Sequence, residues 1–290
     1  MPEGLQPPAP NVINAIVLAA LEEDGAHDDV TTRALVQLDQ WGAGVIIAKD
    51  DCIIAGLPVA AAAMTALDAE VAFDTLVADG DRVSAGARLA EVEGNLASLL
   101  VAERVALNFL QRLSGVATMT REFVDAVVGT KAIILDTRKT TPGLRQLERY
   151  AVRCGGGQNH RYNLASGVLI KDNHIAAVRS RGIDDLSDVV TLARNAAPHT
   201  MKIEIEVTNL VMLKEVLEGG ADIILLDNMT VDEIRACVEL VAGRALVEAS
   251  GGVTLDNVRA IAATGVDYIS IGRLTHSAPA LDISLDAGEG

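Results

Sequence analysis

Aromatic side chains are scarce in this sequence: its 290 residues include only Trp41, Phe73, Phe109, Phe123, Tyr150, Tyr162 and Tyr268. Basic residues are also in deficit, 24 Lys and Arg against 40 Asp and Glu, for a formal charge of −16. A surface poor in both π-faces and positive charge argues against general nucleic-acid binding. Cysteine stops at three, Cys52, Cys154 and Cys237, an odd number with no C-x-x-C spacing. That excludes a disulfide framework and predicts reduced thiols in a cytosolic protein. No His/Cys spacing suggests a zinc site. Long hydrophobic runs are absent as well. The uncharged stretch Cys52 to Leu67 is 16 residues, Ala-rich and interrupted by Pro58, so it is not predicted to span a membrane. The first basic residue is Arg33, so no secretory leader is expected. What remains is an ordinary globular balance, 50% apolar and 22% charged, on a chain long enough for two domains or one large α/β barrel.

The charge is unevenly spread. Thr137 to His174 holds seven basic residues, Arg138, Lys139, Arg145, Arg149, Arg153, Arg161 and Lys171, against Glu148 and Asp172, a local excess of +5. The other 252 residues, with 17 basic and 38 acidic side chains, carry −21. A basic island in an acidic protein points to an anion to be held. Arg145, Arg149 and Arg153 recur every four residues, and for them a solvated helical stripe is the competing reading.

From about residue 130 the pattern is strand, loop, helix, repeated. Strands are predicted at Ala132 to Leu135, Val168 to Ile170, Ile203 to Val207, Ile223 to Leu226, Leu246 to Ala249 and Tyr268 to Ile271. Helical periodicity lies between them, as at Leu186, Val189, Val190 and Ala193, or Ile234, Val238 and Val241. This alternation implies a parallel sheet covered by helices, and nearly every strand ends in a polar or Gly-bearing turn. Side chains converging from successive C-terminal strand ends build a barrel active site, so an incomplete (β/α) barrel is favoured over a doubly wound sheet. The first 115 residues differ. Val71–Phe73 and Arg88–Val92 read as β-hairpin material around Asp79-Gly80-Asp81 and Ala85-Gly86, and Val101 to Leu113 has helical spacing. The hairpin faintly resembles a lipoyl-carrier fold, but no lysine lies between Lys49 and Lys131 to bear the group. The expected fold class is therefore α/β, with a smaller α+β domain (1–115) joined near Ser114-Gly115 to a truncated barrel (116–276).

Several segments carry chemistry. Gly155-Gly156-Gly157 lacks the Gly-Lys-Ser/Thr ending of a Walker loop; it is expected to leave backbone N–H groups free beside His160 and Arg161. Arginine suits a planar carboxylate or phosphate because its fork donates two parallel hydrogen bonds. Glu204 and Glu206 share one strand face, with Glu206 nearer the mouth, and Asp227 ends another strand. Binding of Mg²⁺, contact with sugar hydroxyls, stabilisation of a cationic centre and salt bridges to the basic cluster all remain open for these acids. Ser250-Gly251-Gly252 precedes the helix-like Thr254 to Ala263, with Gly272 after the next strand; phosphate binding and ordinary β-to-α turns are both compatible. His27 and His199 read as loop residues, and His276 has no assigned role.

Three segments in order, Asp136–Arg145 (DTRKTTPGLR), Gly155–Arg161 (GGGQNHR) and Leu169–His174 (LIKDNH), closely resemble the quinolinate phosphoribosyltransferase family, the carboxylating nicotinate-nucleotide pyrophosphorylases. Ala102–Asn108, Leu226–Asn228, Glu248–Gly252 and Asp282–Leu285 extend the resemblance nearly end to end. One departure is Glu23–Thr31, where the family usually has Leu-Gly and then Gly-Asp.

The resemblance implies transfer of phosphoribose from phosphoribosyl pyrophosphate to quinolinate with loss of CO₂, giving nicotinate mononucleotide and pyrophosphate in NAD biosynthesis, with Mg²⁺. It also implies an N-terminal sandwich rejoined by the tail 277–290, and a head-to-tail homodimer in which Arg104 completes the partner's site. Carried over residue by residue, Arg104, Arg138, His160, Arg161 and Lys171 line the two carboxylates of quinolinate, with Thr137 in the same turn. Lys139 and Lys171 face pyrophosphate, Glu206 and Asp227 the ribose and metal, and Ser250, Gly251, Gly252 and Gly272 the 5′-phosphate. The catalytic set is thus Lys139, Lys171, Glu206 and Asp227. Competing readings are a nicotinate-using phosphoribosyltransferase without decarboxylation, a Schiff-base aldolase using Lys139 or Lys171, and a non-catalytic anion binder.

Overall fold

A computed structural model describes residues 5–288, which leaves 289–290 of the expected tail outside the described residues. In its first part the chain forms α1 (Pro10–Glu23), α2 (Val30–Leu35), β1 (Trp41–Ala48), β2 (Cys52–Ile53), α3 (Leu57–Thr65), β3 (Ala72–Thr75), β4 (Arg82–Val83), β5 (Arg88–Asn95) and α4 (Leu96–Ala126). It continues through β6 (Ile133–Leu135), α5 (Arg145–Cys154), β7 (Val168–Ile170), α6 (Asp172–Arg179), α7 (Leu186–Ala196) and β8 (Ile203–Val207). The remaining elements are α8 (Leu210–Glu218), β9 (Ile223–Asp227), α9 (Val231–Val241), β10 (Leu246–Ser250), α10 (Leu255–Ala262), β11 (Tyr268–Ser270), α11 (Arg273–His276) and β12 (Ile283–Gly288).

The chain divides into two compact units. The first comprises residues up to Arg121, 139–156 and 273 onward; the second comprises 122–138 and 157–272.

In the first unit an antiparallel sheet has the order β12-β1-β5-β3. The burial of β1 alternates strictly, as expected of a sheet with one face on a core. The expected hairpin is present, with an excursion between its strands. β3 and β5 do pair, Ala72 opposite Glu93 and Thr75 opposite Ala90, but β4 lies between them in sequence and pairs instead with β2. Turn residues mark where a chain reverses without naming the partner, and here the partners are fixed by packing far along the chain. The long helix α4 is also underestimated: it spans 31 residues, and Ser114-Gly115, read as a junction, lies within it. Gly115 serves close approach, because a Cβ there would stand 1.8 Å from the Pro279 carbonyl oxygen. At the atypical segment Glu23–Thr31, Asp29 caps α2 by accepting from the Thr31 and Thr32 amides.

In the second unit six parallel strands form the order β6-β11-β10-β9-β8-β7, each at a position predicted from sequence. The sheet is an open, truncated barrel whose edge strands are β6 and β7. Gln158 forms a parallel bridge to Leu135, donating its N–H to Ile134 O at 2.9 Å, with Asp136 N donating to Gln158 O at 3.2 Å. The segment after α5 thus extends the free edge of β6. Continuous apolar strand sequences such as Ile223–Leu226 follow from burial on both faces.

Candidate active site

Strand alternation decides which side chains share the inner face of the second unit. Neighbouring strands align Glu206 with Leu225, Leu225 with Glu248, and Glu248 with Tyr268. One row further toward the C-terminal ends, Asp227, Ser250 and Ser270 align. Thr137 and Arg138 follow β6, and Lys171 is the N-cap of α6 immediately after β7. Gly251 and Gly252 follow β10, and Gly272 follows β11. One end of one sheet therefore gathers Thr137, Arg138, His160, Arg161, Lys171, Glu206, Asp227, Ser250, Gly251, Gly252 and Gly272. Arg104, on the exposed side of α4, and Lys139 belong to the first unit.

Asp136, fully buried at the end of β6, anchors the cationic segment. It accepts from the His160 backbone N–H at 2.8 Å and from Asn159 Nδ2 at 2.7 Å. His160 Nδ1 accepts the Arg161 N–H at 2.7 Å, so the neutral ring carries its proton on Nε2. That Nε2 lies 3.3 Å from a Glu204 oxygen and 3.6 Å from Glu248. Burial opposes charge on the ring, but the Glu204 hydrogen bond and the charges of Glu248, Glu204 and Asp136 prevail and raise the His160 pKa above its ordinary value. Burial, reinforced by the charge of Glu204, pushes the Glu248 carboxyl up to about 7, against the pull of His160, Ser270 and Lys171. One oxygen of each acid, Glu204 Oε1 and Glu248 Oε1, is buried without a hydrogen-bond partner.

His160, Glu204 and Glu248 bring their donor atoms within 4.8 Å of one another, a spacing that a metal ion could span. A ligating Nε2 must be bare, however, and here it carries the proton while the Arg161 amide occupies Nδ1. His160 is hydrogen-bonded to Glu204, and Glu248 stands beside them without a bond to the ring. Sequence reasoning placed Glu204 on the inner face without selecting it and passed over Glu248 and Asp136. Parity was the available signal for the two glutamates: Glu204 stands two residues before Glu206, and Glu248 two before Ser250.

At the mouth, Lys171 Nζ contacts Glu206 Oε2 at 2.5 Å, and Asn228 Nδ2 donates to Asp227 Oδ2 at 2.8 Å. Burial lowers the Arg161 pKa, and the nearby charge of Arg138 lowers it further. A cavity of about 390 Å³ runs from His160 and Arg161 past Glu204 and Glu248 toward Lys202, Ile223 and Tyr268 at the N-terminal starts of the strands, away from the mouth. Its volume is in the range of small-ligand sites.

Two expectations fail. Gly155 and Gly156 do not present free N–H groups: they donate to Ala151 O and Arg153 O, closing the end of α5. A helix ending has orphan carbonyls to satisfy, and the glycine run serves that need first. Nor is Arg145–Arg149–Arg153 a solvated stripe, since Arg149 is buried and α5 is enclosed from Leu147 to Val152. Gly251, by contrast, meets a steric requirement. It has φ +85°, and a Cβ there would lie 2.3 Å from Asn228 Oδ1, so the loops after β9 and β10 interlock tightly.

Profiles of the quinolinate phosphoribosyl transferase N-terminal and C-terminal domains match residues 29–114 and 116–286. The chain is 45% identical over 264 residues to a probable carboxylating nicotinate-nucleotide pyrophosphorylase of Bacillus subtilis, covering 91% of this chain and 89% of that protein. Among solved structures, NadC from Streptococcus pyogenes superposes with a TM-score of 0.91 at 42% identity, over 97% of this chain and 98% of that one. The nicotinate-nucleotide pyrophosphorylase of Francisella tularensis gives 0.90 at 37% identity, over 98% and 99%. With both domain profiles matched in order along an open parallel barrel that gathers cations and carboxylates at its strand ends, the chain belongs to the quinolinate phosphoribosyltransferase family.

Proposed function

We propose that the protein transfers phosphoribose from phosphoribosyl pyrophosphate to quinolinate, releasing pyrophosphate and CO₂ and forming nicotinate mononucleotide for NAD biosynthesis. The observation that carries this reading is the Arg138–Arg161 pair beside His160, facing the same strand ends as Lys171, Glu206 and Asp227. Two clustered guanidiniums repel one another until an anion lies between them, and a dicarboxylate relieves that repulsion better than a monocarboxylate.

Both substrates are polyanions, so the cationic segment converts a repulsive encounter into a positioned pair. Arg138, His160, Arg161 and Lys171, with Thr137, hold quinolinate, while the Ser250–Gly252 turn and Gly272 take the 5′-phosphate. As the C1–O bond to pyrophosphate breaks, positive charge develops on the ribose, and Glu206 and Asp227 stabilise it while the pyridine nitrogen attacks. The quaternised ring then takes up the electrons of the departing carboxylate. Lys171, with Lys139, steadies the negative charge of pyrophosphate, and the ring carbon that CO₂ leaves takes a proton from solvent to complete nicotinate mononucleotide.

Glu206 and Asp227 are hard oxygen donors on adjacent strands at an accessible mouth, which suits Mg²⁺, an ion usually held by one or two carboxylates plus substrate phosphates. When bound there, Mg²⁺ neutralises charge on the pyrophosphate leaving group. Arg104 is exposed on α4, its side chain 58% accessible, and Leu100 one turn earlier is exposed as well. These features support a homodimer in which Arg104 reaches the partner's site.

The test is CO₂ release from labelled quinolinate in the presence of phosphoribosyl pyrophosphate and Mg²⁺. Turnover of nicotinate without reaction on quinolinate overturns the reading. For the dimer, inactive Arg104→Ala and Glu206→Gln variants should regain activity when mixed, and a verified mixed dimer without activity would refute the shared site.

A further inference from the structure

In the first unit one buried acid organises the turn that carries Lys139. Glu148 is wholly inaccessible on α5. Its Oε1 accepts from Arg112 Nη2 at 2.7 Å, from Arg112 Nε at 3.2 Å and from Thr141 Oγ1 at 2.8 Å, while Oε2 accepts the Thr141 N–H at 3.0 Å. The same guanidinium reaches the C-terminal segment, donating to Ala278 O at 2.8 Å and to Thr275 O. Thr275, itself fully buried, donates its Oγ1 to the Lys139 carbonyl at 2.8 Å. Between these two anchors, Arg145 Nε donates to Thr140 Oγ1 at 3.0 Å. Lys139, Thr140 and Thr141 are thus each tied by a side-chain hydrogen bond, three residues in succession.

Stability alone does not account for this network. A buried ion pair is often replaced by well-packed apolar residues at no loss, because desolvating both charges offsets their attraction. What the arrangement secures is a fixed backbone at Lys139, whose own side chain remains exposed. We propose that Arg112, Glu148 and Thr275 are positioning residues for Lys139, holding its backbone so that the ammonium meets the departing pyrophosphate. This rests on the assignment of Lys139 to the pyrophosphate side given above. Rigid placement matters there because a group misplaced by about 1 Å can lose on the order of a hundredfold in rate.

The experiment is a double-mutant cycle on the full-length enzyme, with steady-state kinetics and thermal unfolding measured for each variant. Thr275→Val is nearly isosteric and removes only the Lys139 anchor; Arg112→Lys keeps the charge and loses the fork. Each should lower kcat roughly tenfold to a hundredfold with KM for quinolinate nearly unchanged, and Thr275→Ser should restore activity. In a Lys139→Ala background the same changes should alter kcat by less than about twofold, since the residue through which they act is gone. Effects that multiply in full with Lys139→Ala overturn the proposal, as does a lowered unfolding midpoint with wild-type kcat. Full activity of Lys139→Ala itself overturns the assignment beneath it, a result distinguishable because the cycle is then flat from its first step.

Discussion

Glu148 and Glu248 are both buried acids in a protein with acid to spare, and the two units treat them in opposite ways. In the first unit Glu148 is saturated by Arg112 and Thr141. In the second, Glu248 sits beside another carboxylate, leaves Oε1 without a partner, and is pushed up to about 7. Burial by itself therefore distinguishes nothing. A satisfied carboxylate is part of the scaffold, whereas an under-satisfied one marks a place where charge is kept in tension, here beneath the cationic segment expected to receive an anion.

The sharpest break of this contrast is Glu148→Ala. It should lose about 3–5 kcal/mol of stability in urea unfolding, because the half-buried Arg112 loses its ion-pair partner and Thr141 its acceptor; a loss below about 1 kcal/mol would mean that the ion pair is not part of the scaffold. Glu248 should behave differently and in a pH-dependent way. Its carboxyl binds a proton more tightly folded than unfolded, so its stabilising contribution is complete in acid and is lost as pH rises from about 4.5 through 7, by on the order of 3 kcal/mol. His160, whose pKa is also raised, adds a loss in the same direction above its ordinary value. Glu248→Gln should flatten this slope between pH 5 and 8, and a slope equal to that of the wild type would place the proton elsewhere.

Gly251→Ala probes the tension by geometry instead of charge. Its Cβ would strike Asn228 in a left-handed backbone, so a loss of about 1–3 kcal/mol is expected, with weaker binding of phosphoribosyl pyrophosphate in calorimetry. Unchanged binding would remove this turn from the phosphate site. The smallest effect sets the baseline. Arg235→Ala breaks an exposed pair with Asp232 and should change the unfolding free energy by less than about 0.5 kcal/mol.

Sequence and structure agree where the physics is local or periodic. The strands of the second unit were legible because burial on both faces demands apolar, β-branched runs, and their polar ends because polar groups interrupt those runs. The pairing of β3 with β5 was legible as a hairpin, but the pairings of β2 with β4 and of β1 with β12 were not, since no turn or periodicity links strands so far apart in the chain. The glycine run after α5 misled because a C-terminal cap and an anion-binding loop share one composition. Glu148 appeared merely as an acid in a basic stretch; its partner Arg112 lies 36 residues earlier, and no periodicity connects them.

The strand β12 carries a consequence for synthesis. It pairs with β1 along Ala43–Ala48, opposite Gly288–Ile283, so the first sheet takes its last strand from the far end of the chain. During translation the N-terminal unit must wait, its β1 edge open, while the whole parallel barrel is made and can fold. Such an edge is a template for mispairing with a neighbouring nascent chain. Gly44 fits the strand that eventually closes that edge, since a Cβ there would stand 2.9 Å from Leu285 Cδ1.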